Sequence, residues 1–362
     1  MDFRSPQPIV DALVGRASNG VYGYTDCPPE LEELMCSRLA SVYGCAEASA
    51  DWFRWLPGLL PGLNHAVKAA CGDMADGAVA IPTPVYAPFL AAPLNCDRTL
   101  VRVPFAVNVE KGGGHEGGGQ EGGAMRFTID WDLLEATLRE PTTRLLHFCN
   151  PHNPTGRCWT LDELVRVAEL CVRHDCVLCS DEVWGELTLE PEEAPFTSML
   201  ALMRPSPGEP AAAVVTGLEE RLIVLTSPSK CFNVAPLDIA LAVIPDQELR
   251  SRFRAAGSDA AEVSCFGYSA AVAAYGDPEC ELWRQRLVAY LRANRDHAAA
   301  RLRQLGIRCV TPEASYLMWM DCAEVLPAGG NAEEFFLEAG VALTGGVAFG
   351  GDAATARLNF GC

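Results

Sequence analysis

Three segments of the sequence place a polar or reactive side chain directly after an apolar run, where a buried strand would end. Lys230 follows RLIVLTSPS, Asp181 ends CVLCSD, and Asn153 lies in NPHNPTGR (150–157), after RLLHFC. A lysine that is removed from water has a lowered pKa and becomes a nucleophile toward carbonyl carbon. A carboxylate in such a position must be solvated or paired with a cation. The three side chains therefore indicate carbonyl chemistry assisted by a charge partner.

Each segment also has a purely structural interpretation. NPHNPTGR is typical of a strand-to-helix connection, in which Thr160 would cap the helix that begins at LDELV. Asp181 could be an N-cap or a solvent-facing loop acid, and Lys230 could rest its stem on an apolar surface with its amine in water. The occurrence of all three segments in order, each at a strand end, favours a shared site.

These segments belong to repeated units of an apolar strand followed by a helix with a polar face. The strand patterns are GAVAIPTPVY, RLLHFCNP, CVLCSDEVW and RLIVLTSPSK, and the helix pattern LDELVRVAELCVRHD lies between the second and third. This alternation predicts an α/β fold with a parallel sheet covered by helices on both faces. Ligands in such sheets bind at the carboxyl ends of the strands, which is where the three segments lie.

Composition and charge narrow the class of protein. The chain has 362 residues, 49% of them hydrophobic, and a net charge of −19, which argues against nucleic acid or an anionic membrane surface as a partner. No 18-residue apolar run is present, and MDFRSPQPIV lacks the features of a secretory signal. We interpret the sixteen cysteines as small buried side chains in a reducing compartment, either the cytoplasm or an organelle. The single C-x-x-C pair, Cys176 and Cys179, lacks two further ligands at suitable spacing, so no metal site is predicted.

Together the motifs resemble a known family. NPHNPTGR, SDEVW, SPSK and RLNF look like those of the fold-type I pyridoxal 5′-phosphate (PLP) enzymes of the class I/II aminotransferase family. A closer resemblance, to the cystathionine β-lyase and cysteine-S-conjugate β-lyase subgroup, rests on MDFRSP, YGYT, LPGLLPGL, PVYAPF and SPSKCFN. The resemblance covers nearly the whole chain. It implies the PLP-dependent transferase fold, with a mostly parallel sheet flanked by helices and a smaller α+β domain.

With this resemblance the chain divides into three ranges. Residues 1–45 are expected to be the N-terminal segment of the small domain, 46–248 the large PLP-binding domain, and 249–362 the rest of the small domain. Residues 111–123 (KGGGHEGGGQEGG) and 188–215 are expected to be surface loops. Family members usually have an arm before MDF and a helix after RLNF, so either the small domain is shortened or the sequence is incomplete at its ends.

The resemblance implies roles for residues around the cofactor ring. Lys230 corresponds to the Schiff-base lysine that also moves protons, and Asp181 to the acid that pairs with the pyridine nitrogen, which makes the ring an electron sink. Asn153 corresponds to the donor to the 3-oxygen of the ring. Tyr86 corresponds to the aromatic residue that stacks on the ring.

The resemblance also implies contacts to the phosphate and to the substrate. Backbone N–H groups at a helix N-terminus and two serine hydroxyls would bind the phosphate. Arg357 would bind the substrate α-carboxylate with a bidentate pair, and Phe3 is a further substrate-contact candidate. Tyr24 corresponds to a residue lent by a neighbouring subunit, which implies a homodimer with shared sites. The residues expected at the phosphate are Gly58, Leu59, Leu60, Ser227 and Ser229.

Two positions depart from the transaminase pattern. Trp184, a further cofactor contact, stands where transaminases usually have a tyrosine that donates to the 3-oxygen. Asp238 lies where many of them have a phosphate-binding arginine. The motif set and Trp184 favour a carbon–sulfur β-lyase that converts cystathionine or cysteine S-conjugates to pyruvate, ammonia and a thiol. An aminotransferase of amino acids and an inactive PLP-binding homologue are the alternatives.

Overall fold

The computed structural model describes residues 1–109, 123–203, 214–258 and 260–362. Its helices are α1 (Gln7–Asn19), α2 (Pro29–Ser41), α3 (Leu59–Cys71), α4 (Ala87–Asn95), α5 (Trp131–Arg139), α6 (Leu161–Arg173), α7 (Gln247–Ala256), α8 (Cys265–Gly276), α9 (Pro278–Gln304) and α10 (Ala332–Glu338). Its strands are β1 (Phe53–Leu56), β2 (Ala78–Thr83), β3 (Thr99–Pro104), β4 (Ala106–Val109), β5 (Ala124–Thr128), β6 (Thr143–Cys149), β7 (Val177–Asp181), β8 (Leu222–Thr226), β9 (Ala240–Val243), β10 (Arg308–Val310), β11 (Leu317–Asp321), β12 (Thr344–Gly345) and β13 (Thr355–Asn359).

The larger sheet has the strand order β1-β9-β8-β7-β6-β2-β3. Strands β2, β3, β6, β7 and β8 run parallel to one another, whereas β9 is antiparallel to both β8 and β1. Every residue of β2, β7 and β8 is buried. Such continuous apolar strands are typical of a parallel sheet that is covered on both faces.

Helices cover both faces of this sheet. Leu145 and Leu146 are consecutive in β6 and therefore point to opposite faces. Leu145 packs in a cluster with Leu63 of α3 and Phe253 of α7, whereas Leu146 packs in a second cluster with Leu164 of α6. The fold class predicted from the sequence is therefore confirmed.

A second, mixed sheet has the order β12-β13-β11-β10-β5-β4. Strands β4 and β5 (106–109 and 124–128) belong to this sheet, although they lie within the range 46–248 that we predicted to be the large domain. The pattern of short apolar strands does not reveal which sheet each strand joins, because two strands that are consecutive in the sequence can belong to different sheets. The domain boundaries themselves stay a prediction.

Two predicted loops are only partly described. Residues 111–122 of the first and 204–213 of the second lie outside the described residues. In the described part of the second, a short 3-10 helix (Met199–Leu202) buries Met199 and Leu200. That part of the segment is therefore packed against the core and is not a surface loop.

The cysteines are mostly internal: twelve of the sixteen are buried, including Cys176 and Cys179. No helix in the described ranges has the length and apolar composition needed to cross a lipid bilayer.

Candidate active site

A cavity of about 630 Å³ lies at the carboxyl ends of the central strands. The strands end level with one another, because Cys149 of β6 pairs with Asp181 of β7, which pairs in turn with Leu225 of β8. The segments that follow these strands therefore meet at one edge of the sheet. Strand β13 of the second sheet contributes Arg357 to the opposite wall.

Most of the site residues predicted from the sequence line this one cavity, although they are spread over 300 positions of the chain. Their functional roles stay predictions, but their convergence satisfies the geometric requirement that those roles impose. The residues brought together are Gly58, Leu59, Leu60, Tyr86, Asn153, Asp181, Trp184, Ser227, Ser229, Lys230 and Arg357.

Lys230 follows β8 and is mostly buried, with its Nζ atom 5.9 Å from the centroid of the Trp184 ring. Burial lowers the pKa of the Lys230 amine, the Asp181 carboxylate opposes this effect, and the Arg357 guanidinium adds to it. A lowered pKa increases the fraction of neutral amine, which is the nucleophilic form. The site therefore favours attack by Lys230 on a carbonyl carbon.

Asp181 is the last residue of β7, and only 4% of its surface is exposed. Burial raises the pKa of its carboxyl to about 6, although the Val183 N–H donates to Oδ1 at 3.1 Å and Lys230 adds a positive charge. The charges and donors of the protein around Asp181 therefore only partly offset its burial. A cationic ligand group in the cavity would supply a further counter-charge.

Asn153 connects the two walls of the cavity. Its side-chain oxygen accepts a hydrogen bond from the Arg357 guanidinium at 3.2 Å, and its backbone carbonyl accepts one from the Tyr86 N–H at 3.1 Å. The Arg357 guanidinium also lies over the Phe349 ring, 4.6 Å from its centroid. These contacts hold the arginine fork, the amide and the tyrosine in fixed relative positions.

The rest of the NPHNPTGR segment explains why this turn is so well fixed. Arg157 is buried; one of its guanidinium nitrogens donates to both carboxylate oxygens of Glu163 at the start of α6, and another donates to the carbonyl of Phe127. Gly156 has a φ of +67°, and a Cβ there would lie 2.3 Å from Cβ of Pro312. Thr160 caps α6 in a reciprocal pair with Glu163, as the structural interpretation predicted. The segment therefore serves both as a helix connection and as part of the cavity wall.

The N-terminus of α3 forms the other end of the cavity. Gly58 is the N-cap residue, and its φ of +112° is a conformation that residues with a side chain rarely adopt. The first N–H groups of a helix have no partner within the helix and attract anions. The Ser227 hydroxyl donates to the carbonyl of Ile239 at 2.7 Å, so its proton is already used, and it accepts from the Ser229 N–H. Ser229 is therefore the better hydroxyl donor for an anion.

Trp184 and Tyr316 form the inner wall beside Lys230. Their rings meet edge to face with centroids 4.8 Å apart, and both are buried. Burial raises the pKa of the Tyr316 phenol to about 12, so it is protonated at neutral pH. Sequence reasoning missed Tyr316 and also Met1, which lines the cavity too. Tyr316 lies immediately before β11 and lines the cavity together with Arg357 of β13, a position in the second sheet that no motif in the sequence encodes.

Two predicted site residues do not line the cavity of their own chain. Tyr24 is 99% exposed and lies in an extended segment between α1 and α2. Phe3 packs edge to face on Tyr290 of α9, with ring centroids 5.4 Å apart, and its backbone carbonyl accepts from Asn233. Phe3 is therefore not among the residues that line this cavity, and its expected substrate contact stays a prediction.

Glu182, the neighbour of Asp181, is a second buried acid, but both oxygens of its carboxylate accept hydrogen bonds within the protein. It accepts hydrogen bonds from Ser180, Ser198 and the Met199 N–H. Burial nevertheless raises the pKa of Glu182 from 4.5 to about 7. The folded state therefore binds this proton more tightly than the unfolded state does, and the free energy of unfolding falls as the pH rises through this window.

Glu182→Gln should remove the contribution of this carboxyl group to the pH dependence of the free energy of unfolding. Relative to the parent, the variant should gain roughly 2 kcal/mol in free energy of unfolding between pH 5 and pH 8. Urea denaturation of the cofactor-free protein at several pH values measures this. Parallel pH profiles for the two proteins would contradict it.

Comparisons with known proteins agree with this geometry. Residues 11–362 match the family model described as "Aminotransferase class I and II". Cystathionine beta-lyase PatB of Bacillus subtilis is 29% identical over 100% of this chain and 86% of the relative. Protein MalY of Escherichia coli is 27% identical over 100% of this chain and 85% of the relative.

Solved structures of related proteins are also similar to this chain over its full length. The crystal structure of OvoB has a TM-score of 0.84 and 33% identity, covering 100% of this chain and 86% of that one. The PLP-bound C-S lyase from Staphylococcus hominis has a TM-score of 0.81 and 25% identity, covering 100% and 85%. With a family match that spans nearly its whole length, this chain belongs to the class I and II aminotransferase family.

Proposed function

We propose that this chain is a PLP-dependent carbon–sulfur β-lyase that acts on cystathionine or cysteine S-conjugates. One observation carries the proposal: the Lys230 amine and the Asp181 carboxylate line a single cavity with an anion-binding helix end. The relatives named cystathionine beta-lyase and C-S lyase support the choice of reaction.

The donors and acceptors in the cavity fit PLP. The phosphate would bind the N–H groups of Leu59 and Leu60 and the hydroxyl of Ser229, since these are neutral donors at a helix N-terminus. The buried carboxylate of Asp181, whose burial the protein alone only partly offsets, would pair with the pyridine nitrogen. Tyr86 is half-exposed at the cavity and offers an aromatic face to the ring.

When bound, PLP supplies an aldehyde that condenses with amines and an electron-poor ring that delocalises negative charge from the α-carbon of the substrate. Lys230 would hold the cofactor and, once the substrate is bound, would take the α-proton on Nζ. Asp181 would pair with the protonated ring nitrogen, and Arg357 would fix the substrate by its α-carboxylate. The Cβ–S bond of the substrate would break with its electron pair on sulfur, and hydrolysis of the three-carbon remainder would give pyruvate and ammonia.

Trp184 favours elimination over amino-group exchange. The indole ring is buried against Tyr316 and lies beside the Lys230 amine, in the place where transaminases usually have a tyrosine. An indole N–H has one donor and no acceptor, so it cannot take part in proton exchange as a phenol can. Thiolates are good leaving groups, so elimination can outrun return of the proton to the cofactor.

The test is a product assay with the purified, PLP-loaded protein. With cystathionine or an S-conjugate of cysteine, it should release pyruvate, ammonia and thiol in equal amounts without any keto acid. A reaction that requires a keto acid and forms no pyruvate would reject the lyase and favour the aminotransferase. Binding of PLP without turnover of either kind would favour the inactive homologue.

We also propose that two copies of the chain form a homodimer in which Tyr24 enters the site of the partner. The segment that carries Tyr24 exposes Val21, Tyr22 and Tyr24 by 66%, 57% and 99%. Large apolar side chains exposed together are typical of an interface. The Tyr24 phenol would add a donor to the phosphate of the partner's cofactor.

Mixing two defective variants tests the shared site. Tyr24→Ala and Lys230→Ala proteins should each have low activity at limiting PLP. Hybrid dimers would contain one site with both native residues, so unfolding and refolding the two together should restore up to about a quarter of the parental activity. Activity no greater than the sum of the separate variants, with hybrids present by mass, would contradict the proposal.

A further inference from the structure

A carboxylate lies at the anion-binding end of the cavity. Asp238 lines the cavity together with Gly58 and Ser229. A Cβ atom at Gly58 would lie 3.8 Å from Oδ1 of Asp238, so this carboxylate is close to the N-cap of α3. Asp238 is exposed and adopts a left-handed conformation with a φ of +46°.

The other charges of the cavity do not offset this carboxylate. Among the described residues that line the cavity, the cationic side chains are those of Lys230 and Arg357. The Lys230 amine lies beside Trp184, and the Arg357 guanidinium is bonded to Asn153 on the opposite wall. The end formed by α3 therefore combines neutral N–H and hydroxyl donors with one negative charge.

We propose that Asp238 lowers the affinity of this site for the phosphate group of PLP and so makes the cofactor exchangeable. The inference rests on the proposed function, because it takes the N-terminus of α3 to be the phosphate site. A phosphate monoester carries about −1.5 to −2 charges at neutral pH. A second anion within a few ångströms repels it, and partial exposure to water weakens the repulsion without removing it.

The experiment compares two ligands that differ only in the phosphate. Binding of PLP and of pyridoxal to the cofactor-free protein is measured by equilibrium dialysis and by quenching of tryptophan fluorescence. In Asp238→Asn the Kd for PLP should decrease about tenfold at low salt, with a slower dissociation rate, whereas the Kd for pyridoxal should not change. At 0.5 M salt the effect on PLP should shrink to about threefold or less, because the Debye length is then only a few ångströms.

The chain offers a matched control. Asp97 is also exposed and left-handed, with a φ of +54°, but it follows α4 and does not line the cavity. Asp97→Asn makes the same chemical change in the same backbone conformation and should leave the Kd of both ligands unchanged. Equal tightening of PLP and pyridoxal by Asp238→Asn, or no change for either, would overturn the role of Asp238. Failure of the parent protein to bind PLP at all would instead overturn the proposed function.

Discussion

Lys230→Ala should lower turnover of sulfur amino acids by about 10³-fold or more, because one amine both attaches the cofactor and moves the α-proton. Loss of a positioned general base alone typically costs 10²–10⁴-fold. The lowered pKa of the Lys230 amine makes it the nucleophile of the cavity. Steady-state release of pyruvate measures the effect. The absorbance band of the covalent linkage between PLP and Lys230 should disappear in the same variant, although PLP should still bind through its phosphate.

The sequence makes the assignment of this lysine unusually testable, because the chain contains only Lys68, Lys111 and Lys230. Borohydride reduction of the PLP-loaded protein, followed by peptide mapping, should place the cofactor on Lys230. Lys68 is exposed on α3 and is the matched control, so Lys68→Ala should keep both turnover and cofactor absorbance. Label on another lysine, or turnover within about threefold of the parent in Lys230→Ala, would contradict the proposed chemistry.

The parts of the fold and site that follow from local patterns could be predicted. Buried strands such as AVAIPT are continuous apolar runs, and turn residues follow them, so the central sheet and the positions of Asn153, Asp181 and Lys230 were evident. Parallel strands of similar length end at one edge of a sheet, and this brings the following segments together. The place of Arg357 in the site could be predicted only from the resemblance of the sequence to the family, since an arginine in a late strand is more often on the surface.

The rest depends on pairing between distant segments. Tyr316, just before β11, reaches the cavity beside Arg357 from the second sheet, and the pairing of β5 with both β4 and β10 assigns β4 and β5 to that sheet. The contact of Phe3 with Tyr290 on α9 likewise joins segments that lie far apart in the sequence. Single-residue patterns contain no information about which of several apolar surfaces is the nearest.

Loss of the Asp181 carboxylate should have the second large effect on turnover. Asp181→Asn should lower turnover by about 10³-fold, because an amide has no charge with which to keep the ring nitrogen protonated, and the ring then stabilises a carbanion poorly. A cofactor methylated on the ring nitrogen carries a permanent positive charge there. It should restore part of the activity of Asp181→Asn and none of the activity of Lys230→Ala.

The same substitution should not weaken the fold. Burial raises the pKa of Asp181 from 3.8 to about 6, so the folded state binds this proton more tightly than the unfolded state does, and the charged form is penalised above pH 6. Without cofactor, Asp181→Asn should therefore unfold at an equal or higher urea concentration than the parent at pH 8. The difference should shrink as the pH falls from about 6 toward about 4, where both states protonate.

Glu182→Gln is the matched control for this argument. Glu182 is buried beside Asp181, and its pKa is also raised, but its carboxylate is already bonded to Ser180, Ser198 and the Met199 N–H. Both substitutions should stabilise the cofactor-free protein at pH 8, whereas only Asp181→Asn should abolish turnover. If Asp181→Asn unfolded more readily at pH 8 and lost activity in proportion, Asp181 would be a structural acid. A buried carboxylate that destabilises the cofactor-free protein, and whose removal stops only the chemistry, has its role in binding the ligand that neutralises it.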